Sequence, residues 1–207
     1  MKTKFKIILT GTLLLAVTSV MAGIIFVPVG NRYTNLELAQ VEIQNVGDGM
    51  VRVLTTGLTG EMSLDASDVP PEFEVPGSGC ARFPFEQNLE LVINPLLGVV
   101  EGHTSGRIAT QNGTLEYGGD VRGNATCIPS GEHSCDQLIV DLEMRLVLAD
   151  VSDPVRPGLI RMETLGSLQR GPDVARWASL TSNAHLGGDT GLISSLISME
   201  EGESCGI

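Results

Sequence analysis

Apolar and polar residues alternate most regularly in the segment QLIVDLEMRLVLAD, at positions 137–150. Every second side chain of this segment is apolar: Leu138, Val140, Leu142, Met144, Leu146 and Leu148. A period of two predicts a β-strand with one buried face, because a helix would distribute these side chains around its circumference. At about 3.3 Å per residue such a strand is roughly 40 Å long, so we expect a bend or a bulge within it.

Turn-forming residues around this segment predict antiparallel hairpins. The stretch VSDPVRPG, 151–158, is typical of a turn, and GLIRMETLGSL, 158–168, is again strand-like. The glycines around Asp48 and the Asn112-Gly113 pair lie between apolar, strand-like residues, and both are strong signals of a tight reversal. Further strands are predicted at 88–94 and 121–128.

These segments together predict the fold class and the domain organisation. The prolines of the stretch 65–79 exclude regular structure and indicate a long surface loop within one domain. The segment GLISSLISMEE, 191–201, has the spacing of a short C-terminal helix. We therefore predict that 23–207 forms one all-β domain, either an antiparallel β-sandwich or a barrel. The sequence does not distinguish these two architectures.

The first residues predict export. Three lysines in MKTKFK precede an uncharged stretch, Ile7–Val29, which is the order found in a signal peptide. We predict that residues 1–22 are removed by cleavage after Ala22. The alternative is an uncleaved anchor over 7–29, since 23 residues suffice to span a bilayer core of about 30 Å. Both interpretations predict a periplasmic or extracellular location, with any membrane contact made through the N-terminal segment.

The charge of the exported part limits the classes of partner. The formal net charge of the chain is -12, and its only lysines are Lys2, Lys4 and Lys6. Without the signal peptide, 25 acidic residues face ten arginines, and the charge is -15. Such a field repels phosphate backbones, so nucleic acid is a poor partner. An unknown protein, a glycan or a small apolar ligand remains as the partner.

Four cysteines lie in the exported part, where disulfides persist. Cys127 and Cys135 flank the turn-rich IPSGEHS, so we pair them, which leaves Cys80 with Cys205 by elimination. A zinc site that includes His133 is the rival interpretation, but its Cys-x5-His-x-Cys spacing matches no standard ligand pattern. We therefore predict two disulfides and no metal ligands among these cysteines.

Possible catalytic or cofactor-binding groups are few. Asp189 belongs to an Asp-Thr-Gly triplet, which resembles the motif of aspartic proteases. The resemblance covers three residues only, and a glycine-rich turn is the preferred interpretation. GHTSG, 102–106, has its serine in the wrong position for a hydrolase elbow. The pairs Asp65/Asp68 and Asp150/Asp153 offer hard oxygen ligands for calcium, the one cofactor that we consider, although turn formation accounts for them more simply.

The sequence therefore supports two hypotheses about function. The preferred one is a non-catalytic, acidic exported β-domain with a binding or structural role in an envelope. The alternative is a small secreted hydrolase that uses the carboxylate of Asp189. We interpret the lone Trp177 as a core or edge anchor in preference to a platform for sugar stacking.

Overall fold

The computed structural model describes residues 24–71, 79–110, 113–129, 135–150, 158–171 and 174–197. The strands, in chain order, are β1 Ile25–Tyr33, β2 Gln40–Gly47, β3 Met50–Asp65, β4 Cys80–Asn94, β5 Val99–Thr110, β6 Gly113–Pro129, β7 Cys135–Asp150, β8 Gly158–Arg170 and β9 Ala175–Gly188. They are followed by the helix α1, Thr190–Ile197, and a short 3-10 turn, Ala66–Asp68, follows β3. The predicted all-β class is confirmed.

The strands form a closed antiparallel barrel with eight positions around its circumference. From β3 to β9 each strand pairs with its neighbours in chain order. β1 closes the ring, because it pairs with β9 on one side and with β3 on the other. β2 occupies the same position as β1, further along β3. Of the two predicted architectures, the barrel is therefore correct.

The predicted hairpins agree with the strands as far as the structure describes them. β2 and β3 are joined by a tight turn in which Asp48 and Gly49 have φ angles of 48° and 74°. β7 and β8 are paired without interruption from Gln137–Gln169 to Leu148–Gly158. The turn 151–157 and Asn112 lie outside the described residues. The proline-rich stretch begins with the end of β3 and the 3-10 turn, and β4 starts directly after it, at Cys80.

The bulge expected within the segment 137–150 is absent, and the register shift of β7 against β6 lies just before it, between Cys135 and Gln137. β7 pairs with both neighbours without a register shift from Leu138 to Leu148. Its neighbour β6 has glycines at two inward positions, Gly119 and Gly123, where an added Cβ would overlap the main-chain oxygens of Arg145 and Asp141 in β7. The glycines therefore allow close approach of the two backbones, and β7 follows the coiling of the barrel without a bulge between Leu138 and Leu148.

This close approach predicts a difference between two adjacent glycines. Gly119→Ala forces β6 and β7 apart, and we expect it to lower the free energy of unfolding by about 1–3 kcal/mol. Gly118→Ala is the control, since the nearest atom to a Cβ there is the Thr104 oxygen at 3.4 Å, an ordinary contact. Urea unfolding followed by circular dichroism measures both variants. Equal stability of the two would contradict this account of the coiling.

The two ends of the barrel differ. At one end α1 covers the opening, with Ile193, Leu196 and Ile197 buried. The other end, which we call the open end, is formed by the turns β2–β3 and β4–β5 and by the strand ends at Pro129, Cys135, Arg170 and Ala175. Between the two ends the interior is filled by aliphatic side chains from every second strand position, among them Leu58, Leu91, Leu142, Met144, Leu146 and Met162.

The first strand and the last helix refine two predicted boundaries. Ile25–Tyr33 is strand, and Val27 is fully buried against the core, so β1 takes up the last five residues of the candidate anchor 7–29. Cleavage after Ala22 would leave β1 intact. The helix begins at Thr190, one residue before the predicted start, and 198–201 lie outside the described residues. Among the described helices, none is long and apolar enough to cross a membrane.

Candidate functional site at the open end

A small set of polar side chains crosses the middle of the barrel interior. Gln87 on β4 is 1% exposed, and its amide oxygen accepts a hydrogen bond from the Tyr33 hydroxyl at 2.9 Å. Its amide nitrogen donates to Thr104 Oγ1 at 2.9 Å and contacts Met144 Sδ at 3.8 Å. Buried polar groups cost free energy unless they are paired. Since each polar group of Gln87 has a partner, the cluster acts as an internal brace.

The tyrosines of the interior remain neutral hydrogen-bond donors. Burial raises the pKa of Tyr33, and it also raises the pKa of Tyr117 on β6, where Glu86 and Tyr33 act in the same direction. The Tyr117 hydroxyl donates to the main-chain oxygen of Glu86 at 3.3 Å. A phenol whose pKa is raised is a poor general base near neutral pH. These groups therefore contribute to packing and pairing.

Next to β9 the barrel wall has a seam, by which we mean a stretch without strand pairing between β9 and the strands β1 and β2. β1 leaves β9 after the pair Val29–Ala184, and β2 meets β9 only at Val41–Ala175. Trp177 lies on β9 between these two points, is 2% exposed, and donates its indole N–H to Thr55 Oγ1 on β3 at 3.0 Å. The indole therefore joins the two sides of the seam from inside. Trp177 is a core anchor in this structure.

A disulfide lies at the open end. Cys127 at the end of β6 and Cys135 at the start of β7 are joined, with their Cα atoms 5.5 Å apart. This confirms the first predicted bridge. Cys80 is buried on β4, and no described cysteine is free. Cys205 lies outside the described residues, so its pairing with Cys80 stays a prediction.

Two adjoining clefts run along the rim of the open end. One has a volume of about 750 Å³ and extends from Ile128 and Asp136, beside the disulfide, to the β8–β9 turn at Arg170. The other, of about 610 Å³, lies between that turn and β2, near Val41. Both are shallow and lined by polar and apolar groups. They are surface grooves on the rim of the barrel.

Two cavities lie further inside and are much smaller. One of about 100 Å³ lies just below the open end and is lined mainly by aliphatic side chains, with Asp136 and Arg170 at its edge. The other, of about 20 Å³, lies near α1, where Leu196 lines it. Pockets that enclose a drug-sized molecule have volumes of roughly 300–1,000 Å³. Neither cavity reaches that size.

Of the ten large hydrophobic side chains that are exposed among the described residues, six lie at the open end. Leu96 and Leu97 in the β4–β5 turn are 88% and 74% exposed. The remaining members of this group are in the other turns or at the strand ends beside them: Val46, Val99, Ile128 and Val174. Isolated exposed aliphatic residues are ordinary, but a group of them on one rim is typical of an interaction site. We call these six residues the open-end aliphatic residues.

The structure gives Asp189 a structural role. Its carboxylate accepts a hydrogen bond from the main-chain N–H of Leu192 at 2.7 Å, and its main-chain oxygen accepts one from Ile193 at 3.2 Å. Asp189 is therefore the N-cap of α1. The triplet lies where β9 passes into the helix, at the covered end and away from the clefts.

Two substitutions of Asp189 separate capping from catalysis. Asp189→Ala removes the cap, and we expect a loss of about 1 kcal/mol in unfolding free energy. Asp189→Asn keeps a good capping oxygen and should retain nearly all stability, although it abolishes any carboxylate chemistry. Urea unfolding measures the first effect, and peptidase and glycosidase assays of the Asn variant measure the second. A hydrolytic activity that disappears in Asp189→Asn would contradict the structural role proposed for this carboxylate.

The other candidate residues do not come together in one site. GHTSG is in the middle of β5, with His103 and Ser105 exposed on the outer wall, and His185 is exposed on β9. Asp65 accepts hydrogen bonds from the Ser67 N–H and hydroxyl at 2.8 and 2.6 Å and so caps the 3-10 turn that contains Asp68. His133, Asp153 and the side chain of Asp150 lie outside the described residues.

Comparisons with other proteins leave the function to be argued from this site. In the part of the chain that the structure describes, no group of three or more His, Cys, Asp or Glu side chains is placed to bind a metal. No protein-family model, curated protein or solved structure matches the chain.

The open-end aliphatic residues were not among the sequence candidates, because single apolar residues in turns have no periodic signal. The pair Leu96-Leu97 between Pro95 and Gly98 was the signal that could have indicated them.

Proposed function

We propose that this chain is an exported, non-catalytic barrel domain that binds a protein partner through its open end. The observation that carries the proposal is the concentration of exposed aliphatic side chains there, led by Leu96 and Leu97. Burial of apolar area drives most protein association, at roughly 25 cal/mol for each Å² removed from water. The clefts beside these residues add polar groups that can give specificity.

The filled interior argues against a role as a carrier of a small apolar ligand. The cavities of about 20 and 100 Å³ are smaller than a typical ligand pocket. The buried amide of Gln87 bonds to the hydroxyl groups of Tyr33 and Thr104 instead of facing an enclosed space. Recognition by surface turns fits this barrel better than recognition by an internal chamber.

Three features support export. The basic head and uncharged stretch are typical of a signal peptide. A disulfide joins Cys127 to Cys135, and disulfides persist in oxidising compartments. β1 begins at Ile25, just after the predicted cleavage at Ala22. The acidic charge of the exported chain favours solubility and disfavours binding to anionic membrane surfaces.

Photo-crosslinking in the producing cells tests the proposal. A photoreactive residue in place of Leu97 should yield an adduct of defined mass after irradiation. The same residue in place of Leu165, which is 57% exposed on the outer wall of β8, is the matched control and should yield none. No adduct from position 97, or equal adducts from both positions, would refute binding at the open end.

A further inference from the structure

One edge of β2 extends past the strand that it meets. β2 pairs with β3 from Gln40 to Gly47, but it meets β9 only at Val41–Ala175. Over positions 42–47, the other edge of β2 therefore faces no strand among the described residues. We call this stretch the free edge of β2. In an antiparallel sheet the main-chain N–H and C=O groups of every second residue point to such an edge, so they are available to pair with another chain.

The cleft of about 610 Å³ at the open end lies against this edge. On the β2 side it is lined by the unbroken run 37–43, and on the other side by the β8–β9 turn. Neighbouring side chains of a strand point to opposite faces, so a run of consecutive lining residues means that the main chain itself lines the cleft. The volume is within the roughly 300–1,000 Å³ of ligand sites. A main-chain edge in a cleft is the site that an extended peptide uses when it adds a strand to a sheet.

The regular part of the free edge is short. The register of β2 against β3 shifts between Asn45 and Gly47, which leaves a bulge at Val46. A bulge disrupts the ladder locally and is one of the devices that limit pairing at an edge. Positions 42–45 precede the bulge and contain no proline. The free edge therefore accepts a short extended segment and disfavours a long one.

The outer face of β2 favours a cationic segment. Glu42 is exposed on this face, and Glu37 lines the same cleft. Among the described residues, neither of these two carboxylates has an ion pair. Side chains that are directly opposite in neighbouring strands interact, and opposite charges stabilise the pair. A lysine or arginine opposite Glu42 is therefore favoured.

The inner face of β2 favours an aliphatic side chain next to that cation. Ile43 is half-buried on this face and lines the cavity of about 100 Å³ below the open end. The volume of this cavity lies between the roughly 30 Å³ of one water and the ~150 Å³ cavity that binds benzene. It therefore has room for one branched aliphatic group. Because side chains of the added strand also alternate, the residue opposite Ile43 points towards this space.

We infer that the open end binds a short extended segment of a partner protein, which adds a strand to β2 at positions 42–45 and alternates basic with branched aliphatic residues. This inference rests on the proposed function, because it states the chemistry of the partner at one part of the same surface. A second copy of this chain fits less well. Two exported copies each carry a charge of -15, and Glu42 is the only charged residue of the free edge. The acidic field attracts a cationic segment and repels another copy.

A fluorescent hexapeptide of alternating arginine and valine tests strand addition. Titrated into the purified exported chain, with its disulfides formed, it should bind saturably at physiological ionic strength. Two N-methylated versions are the matched controls, one methylated at its arginines and the other at its valines. Only every second N–H of an added strand faces β2, so one version should bind about 10-fold more weakly or worse and the other should still bind. No binding of the parent peptide, or an equal effect of the two methylations, would overturn the inference.

A charge reversal tests the position of the segment. Glu42→Arg should raise the dissociation constant of the parent peptide by about 10-fold or more. Glu163→Arg, exposed on the outer wall of β8, makes the same change in net charge and is the control. It should have little effect, because salt screens exposed charges beyond about 8 Å. Equal effects of the two reversals would mean that net charge alone attracts the peptide, and would contradict binding at the free edge.

The failure of this inference can be told apart from the failure of the proposed function. If the peptide does not bind while the photoreactive residue at position 97 still gives its adduct, the cationic strand is refuted and binding at the open end is upheld. Sedimentation of the chain alone tests the other occupant. Self-association that the peptide abolishes would identify a second copy at the free edge and would overturn the inference.

Discussion

Trp177→Ala should lower the free energy of unfolding by about 3–5 kcal/mol. The indole is 2% exposed. It lies at the seam, where β2 and β9 are paired only at Val41–Ala175. Its removal leaves a cavity and deprives Thr55 of its 3.0 Å hydrogen bond. Because small domains have a total stability of about 5–15 kcal/mol, this loss is a large share of it. Urea unfolding followed by far-ultraviolet circular dichroism measures it.

Two further variants show how much of this loss comes from the hydrogen bond and how much from the buried ring. Trp177→Phe keeps an aromatic ring and removes the N–H donor, so it should cost less than the alanine substitution. Val147→Ala removes an aliphatic side chain that is 49% exposed on the outer wall and should change stability by less than about 0.5 kcal/mol. If Trp177→Ala cost no more than Val147→Ala, the seam would not depend on the indole.

Ile193→Asp should release α1 from the covered end of the barrel. Ile193 is fully buried, and an uncompensated charge at such a site costs about 3–5 kcal/mol. Separation of the helix exposes Leu196 and Ile197 as well, so the apolar contribution is lost together with the charge penalty. The fluorescence of Trp177, the only tryptophan, reports on the barrel wall, while circular dichroism reports on the whole fold.

Comparison of these two signals shows whether the helix separates alone or unfolds the barrel with it. Ser195→Asp is the control, because it introduces the same charge at an exposed position of α1 and should cost at most about 1 kcal/mol through the helix dipole. Equal stability of the two aspartate variants would mean that α1 does not seal the barrel.

Strands with one buried face could be predicted from the sequence, whereas closure of the barrel could not. The alternation from Leu138 to Leu148 predicts β7, and the turn glycine at 49 predicts the first hairpin. The alternation of β1 and β9 could not be recognised in the sequence. β1 overlaps the uncharged stretch of the targeting segment, and β9 is interrupted by a bulge after Trp177. Closure depends on which strands β1 pairs with, and periodicity carries no information about pairing between distant strands.

The candidate site was predicted less completely than the fold. The bridge between Cys127 and Cys135 follows from a short turn-rich loop and marks the open end. Asp189 stood out because of its neighbours in the sequence, but its carboxylate caps a helix, and a capping Asp cannot be told from a catalytic one without its hydrogen bonds. The open-end aliphatic residues come from separate turns, and only the closed barrel brings them to one rim.

Mass spectrometry of the exported product tests the central claim most directly, namely that this chain works outside the cytoplasm as a disulfide-stabilised barrel. We predict a mature chain that begins at Gly23, and four cysteines that react with alkylating agents only after reduction, which includes the bridge expected between Cys80 and Cys205. Four thiols that are reactive without reductant, or a full-length chain retained in the cytoplasm, would contradict the account.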